Sequence, residues 1–175
     1  LLIGIFLTVL RNSKFLPFVY FSKIYVLFIR NTPLLVQIFL FFYILGTAFN
    51  IENRYILAPF ILSIFSGAYI SEILRSGLKS IDNRQIETSI SLGFNKFQTL
   101  IYIIIPQLIR IVIPPLSGQF ISLIKDSSLL SVISVSEITK TVEEINSLNF
   151  RVIENYLILA LIYLILTIPI FYLSR

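Results

Sequence analysis

Few side chains in this chain of 175 residues are suited to catalysis. The sequence contains no Cys and no His, which removes thiolate and imidazole metal ligands and every catalytic triad that depends on them. It also lacks the Gly-x-x-x-x-Gly-Lys pattern of a phosphate-binding loop, so we do not expect it to bind ATP by that route. The sequence therefore predicts a protein without enzymatic activity and without a cofactor.

The most informative polar segment covers residues 82–98. Four apolar residues recur there within an arc of roughly 80° on a helix: Ile86, Ile90, Phe94 and Phe97. Asp82 and Asn83 are suitable caps for the start of such a helix, and Gly93 favours a bend or a reversal of the chain. The periodicity alone is also compatible with a connector that rests on lipid headgroups.

Composition places this segment in a membrane protein. Hydrophobic residues make up 57% of the chain and charged residues 13%, against roughly 25% charged residues in soluble domains. A helix needs about 20 apolar residues to cross the hydrocarbon layer. Five apolar runs meet or approach that length: 1–10, 33–49, 56–76, 108–124 and 156–173.

These runs predict an all-α, polytopic protein with five spans. We expect the first span to be truncated, because residues 1–10 are already apolar; the alternative is the apolar region of a signal peptide. Pro114 and Pro115 are expected to break or kink the fourth span.

The charges between the runs indicate an orientation. The segments after the first and third runs are rich in Lys and Arg, whereas residues 125–155 hold three basic residues and five acidic ones. Since Lys and Arg remain on the cytoplasmic side, we expect both basic segments and Arg175 in the cytoplasm. Arg54 is balanced by Glu52 in the remaining short loop. The net charge of +5 is not clustered among aromatic residues, so no nucleic-acid partner is expected.

Within the second basic segment, the spacing resembles a known motif. The segment contains, in order, Glu87, Thr88, Ser89, Gly93, Ile103, Ile105 and Pro106. This resembles the cytoplasmic "EAA" loop of binding-protein-dependent ABC permeases: Glu-Ala-Ala, three residues, Gly, nine residues, Ile, one residue, Leu-Pro. Two small hydroxyl residues replace the alanines here, and Ile replaces Leu.

Further blocks resemble permeases of the polar amino-acid type. Residues 30–37 are similar to "RGTPLLVQ", and residues 67–75 are similar to "GAYxAEIxR". The order Pro-Gln, Arg and Pro within residues 106–114, followed by Lys-Asp-Ser-Ser-Leu at 125–129, resembles "PQaxRixlP" and "KDTSL". The likeness extends from about Arg30 to the last apolar run.

This resemblance implies a function and a set of partners. The chain is expected to be one permease domain, 1–175, with a cytoplasmic coupling loop at about 77–106, in the cell membrane of a bacterium. It would form the translocation path of an ATP-driven amino-acid importer. The implied partners are two ATP-binding cassette subunits that hydrolyse ATP, a second permease chain of the same or a homologous kind, and an extracytoplasmic substrate-binding protein or domain.

Two sets of site residues follow. Those expected to couple the chain to the ATPase are Glu87, Thr88, Ser89, Gly93, Phe94 and Pro106. Those expected along the substrate path are Asp126, Ser127, Ser128, Gly67 and Gln37.

Several of these residues have a simpler structural interpretation. Charges at membrane depth are costly and normally pair or line a water-filled path, yet Asp126 and its two serines also suit the outer cap of a helix. Glu87 is either a cap or an ATPase contact. Glu72 and Arg75 form either a surface pair or a brace for the coupling loop.

Other functions are compatible with parts of the pattern. An importer of this type could carry a peptide, a metal chelate or an anion instead of an amino acid. A passive channel or ion-coupled carrier usually has a cluster of pore-facing ionisable residues, which the sequence does not contain. A structural subunit without cargo is a third class.

Overall fold

The computed structural model describes residues 1–51 and 53–173, and every regular element among them is helical. The helices are α1 (Leu2–Arg11), α2 (Leu16–Asn31), α3 (Leu34–Phe49), α4 (Arg54–Lys79), α5 (Asn83–Ser91), α6 (Lys96–Thr99), α7 (Ile105–Asp126), α8 (Ile138–Asn149) and α9 (Val152–Leu173). A π-helical turn precedes α7 and a 3₁₀ segment, Ser127–Ile133, follows it. The predicted all-α class is confirmed. Glu52 and Arg175, which entered the orientation argument, lie outside the described residues.

Three helical stretches among the described residues are long and apolar enough to cross a membrane: Arg54–Lys79, Lys96–Ile133 and Val152–Tyr172. The pair formed by α2 and α3 passes the same test together, but the two helices are bent by 118° relative to each other. α1 is apolar and shorter. Length and composition therefore support three spans, or four with the bent pair, and the predicted five-span count stays a prediction.

The sequence interpretation missed α2. Residues 16–31, which we treated as part of a basic loop, form a helix of 16 residues. Pro17 lies in its first turn, where a backbone N–H group would have no acceptor within the helix, so the N–H that proline lacks costs no hydrogen bond. Basic residues at intervals along the segment hid its apolar face, on which Val26 and Ile29 are buried against Phe65 and Ala68.

The bend between α2 and α3 is held by Gln37. The side-chain amide donates hydrogen bonds to the carbonyl oxygens of Ile29, at 2.7 Å, and Thr32, at 3.0 Å, and to the Thr32 hydroxyl, at 2.7 Å. Only 2% of Gln37 is exposed. An extended backbone at Thr32 and Pro33 ends one helix and starts the next, and Gln37 satisfies the carbonyl groups that this break releases.

α4 is the central helix of the fold. It packs against α1, α2, α3 and α7, and half of its apolar window is buried, against 11% for the Lys96–Ile133 stretch and 6% for α9. Successive residues of α1 contact successive residues of α4: Gly4 faces Ile70, and Arg11 reaches Glu72. The two helices therefore run in the same direction.

α7 runs in the opposite direction to α4. Leu57 and Ile61, near the start of α4, pack in one cluster with Leu130 and Ile133, which follow α7. Near the other end of α4, the chain of α7 approaches Gly77. α7 continues as one α-helix through Pro114 and Pro115, so neither proline breaks the helix, and the predicted kink stays a prediction.

The contact between α1 and α4 depends on two glycines. A Cβ atom added to Gly4 would lie 2.4 Å from Cγ2 of Ile70, and one added to Gly67 would lie 2.5 Å from Cγ2 of Ile3. Within lipid, helices associate mainly through close van der Waals packing, which small residues allow. The glycines therefore set the distance between the two helices.

Replacing Gly67 with Ala tests this packing. The added methyl group has to push α1 away, and we expect a loss of roughly 1–3 kcal/mol in unfolding free energy, measured as a lower thermal midpoint in detergent. Gly118→Ala is the matched control, because no atom lies within 4 Å of the added Cβ atom there. An unchanged midpoint for Gly67→Ala would contradict the close approach.

Candidate functional site

The candidate site begins at the end of α4, where the chain leaves the bundle. The Asp82 carboxylate accepts a hydrogen bond from the backbone N–H of Arg84 at 2.9 Å and caps α5. This confirms the cap that the sequence predicted at Asp82. A capped helix of nine residues is too short to cross a membrane.

Gly93 reverses the chain after α5. Its φ of +87° lies in the left-handed region, which residues with a Cβ atom adopt at a cost. The Gly93 N–H donates to the Ile90 carbonyl at 2.9 Å and the Phe94 N–H to the Ser89 carbonyl at 3.0 Å, which is the Schellman pattern of a helix end. The predicted interruption and reversal at Gly93 are confirmed, and the amphipathic helix ends at Ser91.

A buried hydrogen bond joins the two arms of the reversal. The hydroxyl groups of Ser89, on α5, and Thr99, on α6, lie 2.9 Å apart, and both residues are buried. Asn95 and Gln98 form a capping box that starts α6. The chain of residues 83–99 is therefore a helical hairpin with its own internal bonds, which we call the coupling hairpin.

The hairpin is also tied to the base of α7. The Gln107 side chain donates to Gln85 Oε1 at 2.6 Å and to the Ile103 carbonyl at 2.9 Å. Pro106 has no N–H, so the regular helical bond at that position is absent. Instead the Ile105 N–H bonds the Leu100 carbonyl, which makes the π-helical turn Leu100–Ile104. Pro106 thus shapes the junction between hairpin and span.

The outer surface of the hairpin is apolar and exposed. The exposed fractions are 72% for Leu92, 69% for Phe97 and 56% for Ile90. Beside them, a cleft of about 460 Å³ runs between α5 and the start of α7. Its lining residues are Arg84, Gln85, Thr88, Ser89, Leu92, Phe94, Tyr102, Ile103, Pro106 and Gln107. Exposed apolar side chains around a cleft are typical of a surface that a partner covers.

The structure places the predicted coupling residues near one another, but their side chains lie in three different environments. Glu87, Thr88 and Gly93 are exposed on the hairpin surface, and Phe94 packs edge-on against Tyr102, with 6.5 Å between ring centroids. Ser89 is buried, so it holds the hairpin together and does not face a partner. The Glu87 side chain caps no helix in the described part of the chain, since Asp82 does so for α5.

Sequence reasoning missed the residues that brace this site. Thr99, Gln85 and Gln107 have no motif of their own, and their contacts arise only after the chain reverses at Gly93. Leu92 is the most exposed apolar residue of the hairpin. In the sequence, the one signal for the role of Leu92 was its position directly before Gly93.

Glu72 has a partner that the sequence did not reveal. Its carboxylate accepts a hydrogen bond from Arg75 and another, at 2.7 Å, from Arg11 at the end of α1. All three side chains are about one-fifth exposed. The cluster fastens α1 to α4, so a simple surface pair is not a sufficient description; among the described residues it shares no hydrogen bond or ion pair with the coupling hairpin.

The predicted substrate-path residues do not form one group. Asp126 is half-buried at the end of α7, and its carboxylate takes part in no hydrogen bond among the described residues. The Ser127 hydroxyl donates to the Ile124 carbonyl at 2.7 Å, which supports the cap interpretation for that residue. Gln37 lies at the α2–α3 bend and Gly67 lies against α1, both buried.

A cavity lies next to Ser127. It has a volume of about 640 Å³ between α7 and α9, with mostly apolar walls, and Glu137 and Tyr163 at its polar end. The Glu137 carboxylate caps α8 by accepting bonds from the backbone N–H groups of Thr139 and Lys140, and it accepts a third bond from the Tyr163 hydroxyl at 3.3 Å. These polar groups are satisfied within the chain.

Ser89→Ala tests the bond that closes the hairpin. Losing a buried hydroxyl pair should cost about 1 kcal/mol, which corresponds to roughly fivefold faster amide exchange in α6. Hydrogen exchange followed by mass spectrometry measures this. Thr88→Ala is the control, because the Thr88 hydroxyl bonds only within α5. Equal exchange rates in the two variants would contradict the tie.

Comparisons with known proteins agree with this architecture. The family described as "Binding-protein-dependent transport system inner membrane component" matches residues 1–175. Over 167 residues the chain is 37% identical to the probable glutamine ABC transporter permease protein GlnM of Bacillus subtilis, covering 95% of this chain and 77% of that protein. It is 42% identical to the L-cystine transport system permease protein TcyB of the same organism, over 89% of this chain and 67% of that protein.

A solved structure shows the same fold. The chain is 33% identical to a protein in the "Crystal structure of an amino acid ABC transporter with histidines", with a TM-score of 0.89 over 99% of this chain and 81% of that one. The glutamine transport system permease protein GlnP of Escherichia coli K12 is 37% identical over 88% of this chain and 71% of that protein. The chain therefore belongs to the family of binding-protein-dependent transport system inner membrane components, the permeases of ABC transporters.

Proposed function

We propose that this chain is the transmembrane permease subunit of an ATP-driven amino-acid importer and that the coupling hairpin receives the motion of an ATPase subunit. The observation that carries the proposal is the hairpin itself: exposed apolar residues on a short unit closed by Gly93 and by the Ser89–Thr99 bond. A rigid unit of this kind transmits a push as displacement, whereas a flexible loop would absorb it.

The place of the hairpin in the fold supports this role. It lies at the C-terminal end of α4, and the chain of α8 lies near the N-terminal end, where Leu57 and Ile61 pack against Leu130 and Ile133. A helix of 26 residues is about 39 Å long, which exceeds the roughly 30 Å of hydrocarbon. We place the hairpin and the C-terminus in the cytoplasm and α8 outside.

The proposed assembly is the one that membership of this permease family implies. In it, two ATP-binding cassette subunits hydrolyse ATP, and this sequence itself has no phosphate-binding loop. A second permease chain, identical or homologous, completes the path through the membrane, and an extracytoplasmic binding protein or domain delivers the cargo. The proposed cargo is an amino acid, because two of the similar proteins are permeases of glutamine and L-cystine transport systems.

In this account the chain is one permease domain, 1–175, and its coupling loop covers residues 77–106. The site residues have distinct roles within it. Glu87, Thr88 and Phe94 meet the ATPase, while Gly93 and Pro106 fix the shape of the hairpin and its junction with α7. Asp126, with Ser127 and Ser128, faces the path at the outer end of α7. Its carboxylate has the charge that an amino-acid ammonium group requires.

Proteoliposomes that contain the chain, its ATPase subunits and its binding protein test the proposal. Uptake of labelled amino acids should require ATP and all three components. Gly93→Val should insert normally and lower uptake at least about tenfold, because a β-branched residue does not tolerate a φ of +87°.

Gly93→Asn is the matched variant, because Asn accepts left-handed backbone conformations far better than Val; it should retain most of the uptake. No atom lies within 4 Å of a Cβ atom at this position, so a clash does not explain a difference between the two. Uptake without ATPase subunits would indicate a channel or carrier. Full activity of Gly93→Val would contradict the coupling role.

A further inference from the structure

A polar pocket opens beside α2, away from the coupling hairpin and from the end of α7. It has a volume of about 330 Å³. Its lining residues are Arg11, Lys23, Val26, Leu27, Arg30, Asn31 and Glu72. Three of these side chains are cationic and one is anionic, so the pocket has an excess of positive charge.

Within this pocket, the carboxylate is already neutralised. Glu72 accepts hydrogen bonds from both Arg11 and Arg75. Lys23 and Arg30 have no acidic partner within 4.0 Å among the described residues. Each lies instead over an aromatic ring, Lys23 over Tyr20 and Arg30 over Tyr69, both 5.6 Å from the ring centroid. The two cations are therefore available to a ligand.

The pocket lies close to one edge of the apolar layer. Glu72 is seven residues before Lys79, the end of α4, or about 10 Å along the axis. α4 is about 9 Å longer than the hydrocarbon layer is thick. For an α4 that is centred in the layer and parallel to its normal, each end projects by roughly 4–5 Å, and Glu72 lies roughly 6 Å inside the boundary. Cationic side chains at that depth need a counterion or contact with the headgroup layer.

An apolar surface continues from the pocket along α2. Ile24, Leu27 and Phe28 are exposed in the described structure, and Leu27 also lines the pocket. A ligand with an anionic head and long apolar chains fits both features at once. A free anion uses only the pocket.

We propose that this pocket binds the headgroup of an anionic phospholipid, with its phosphate between Lys23 and Arg30 and an acyl chain along Ile24, Leu27 and Phe28. Arg holds a phosphate through paired N–H groups, and Lys adds a compact charge. Basic pockets between spans on the cytoplasmic side are suited to such lipids. The assignment to the cytoplasmic leaflet rests on the orientation proposed above, whereas lipid binding itself does not require transport.

Counting the lipid that remains bound to the purified chain tests the proposal. The double variant Lys23→Gln, Arg30→Gln should bind phosphatidylglycerol roughly 30-fold more weakly than the wild type, because it loses two positive charges near the headgroup layer and each contributes roughly a fivefold gain in affinity. Native mass spectrometry of protein from phosphatidylglycerol nanodiscs gives the count. The matched control is Lys14→Gln, Lys79→Gln, which removes the same charge from two exposed positions outside the pocket.

Equal retention in both double variants would overturn the proposal, because general attraction to a basic surface would then suffice. A second measurement uses the unmodified chain, in case the variant folds poorly. In phosphatidylcholine nanodiscs, added phosphatidylglycerol should raise the thermal midpoint, and neither phosphatidylethanolamine nor inorganic phosphate should do so. An equal rise with inorganic phosphate would contradict a lipid site and indicate a free-phosphate site.

Discussion

Close packing against α4 is the constraint on which the other features of this structure depend. In a membrane, apolar surface gains little by leaving lipid for another helix, so neighbours must fit closely to associate. Gly67 and Gly4 let α1 approach α4 until the Thr8 hydroxyl reaches the Ser71 carbonyl at 3.3 Å. With α4 fixed in this way, its two ends define where the coupling hairpin and α8 lie.

Most polar groups within this bundle are satisfied by the chain itself; among the described residues, the buried side-chain atoms without a hydrogen-bond partner are Gln37 Oε1 and Arg75 Nε. Gln37 closes the bend between α2 and α3, and Glu72 joins two arginines at the end of α1. Such groups stabilise the arrangement of the helices, since an unpaired polar group within lipid is costly. Asp126, Lys23 and Arg30 differ from these groups, because none of the three forms an ion pair with an oppositely charged side chain among the described residues. We therefore assign their charges to ligands.

Sequence reasoning identified the apolar helices, the reversal at Gly93 and the cap at Asp82, because each depends on local chemistry. It missed α2, because the two cations Lys23 and Arg30 suggest a polar loop, and the opposite face of the helix is recognised only from its packing against α4. It also missed the Ser89–Thr99 pair, which exists only after the reversal. A lone Gln in an apolar run, such as Gln37, looks the same whether it holds a bend or lines a path.

The central claim is that the coupling hairpin faces the cytoplasm and is covered by an ATPase subunit. The chain has no cysteine, so single cysteines at Leu92 and Leu148, both exposed, report on the two ends of α4 through labelling by a membrane-impermeant maleimide. We predict that Leu92→Cys is labelled only in inverted vesicles and is protected by the ATPase, and that Leu148→Cys is labelled only in right-side-out vesicles. Labelling of Leu92→Cys from outside, or no protection by the ATPase, would contradict the account.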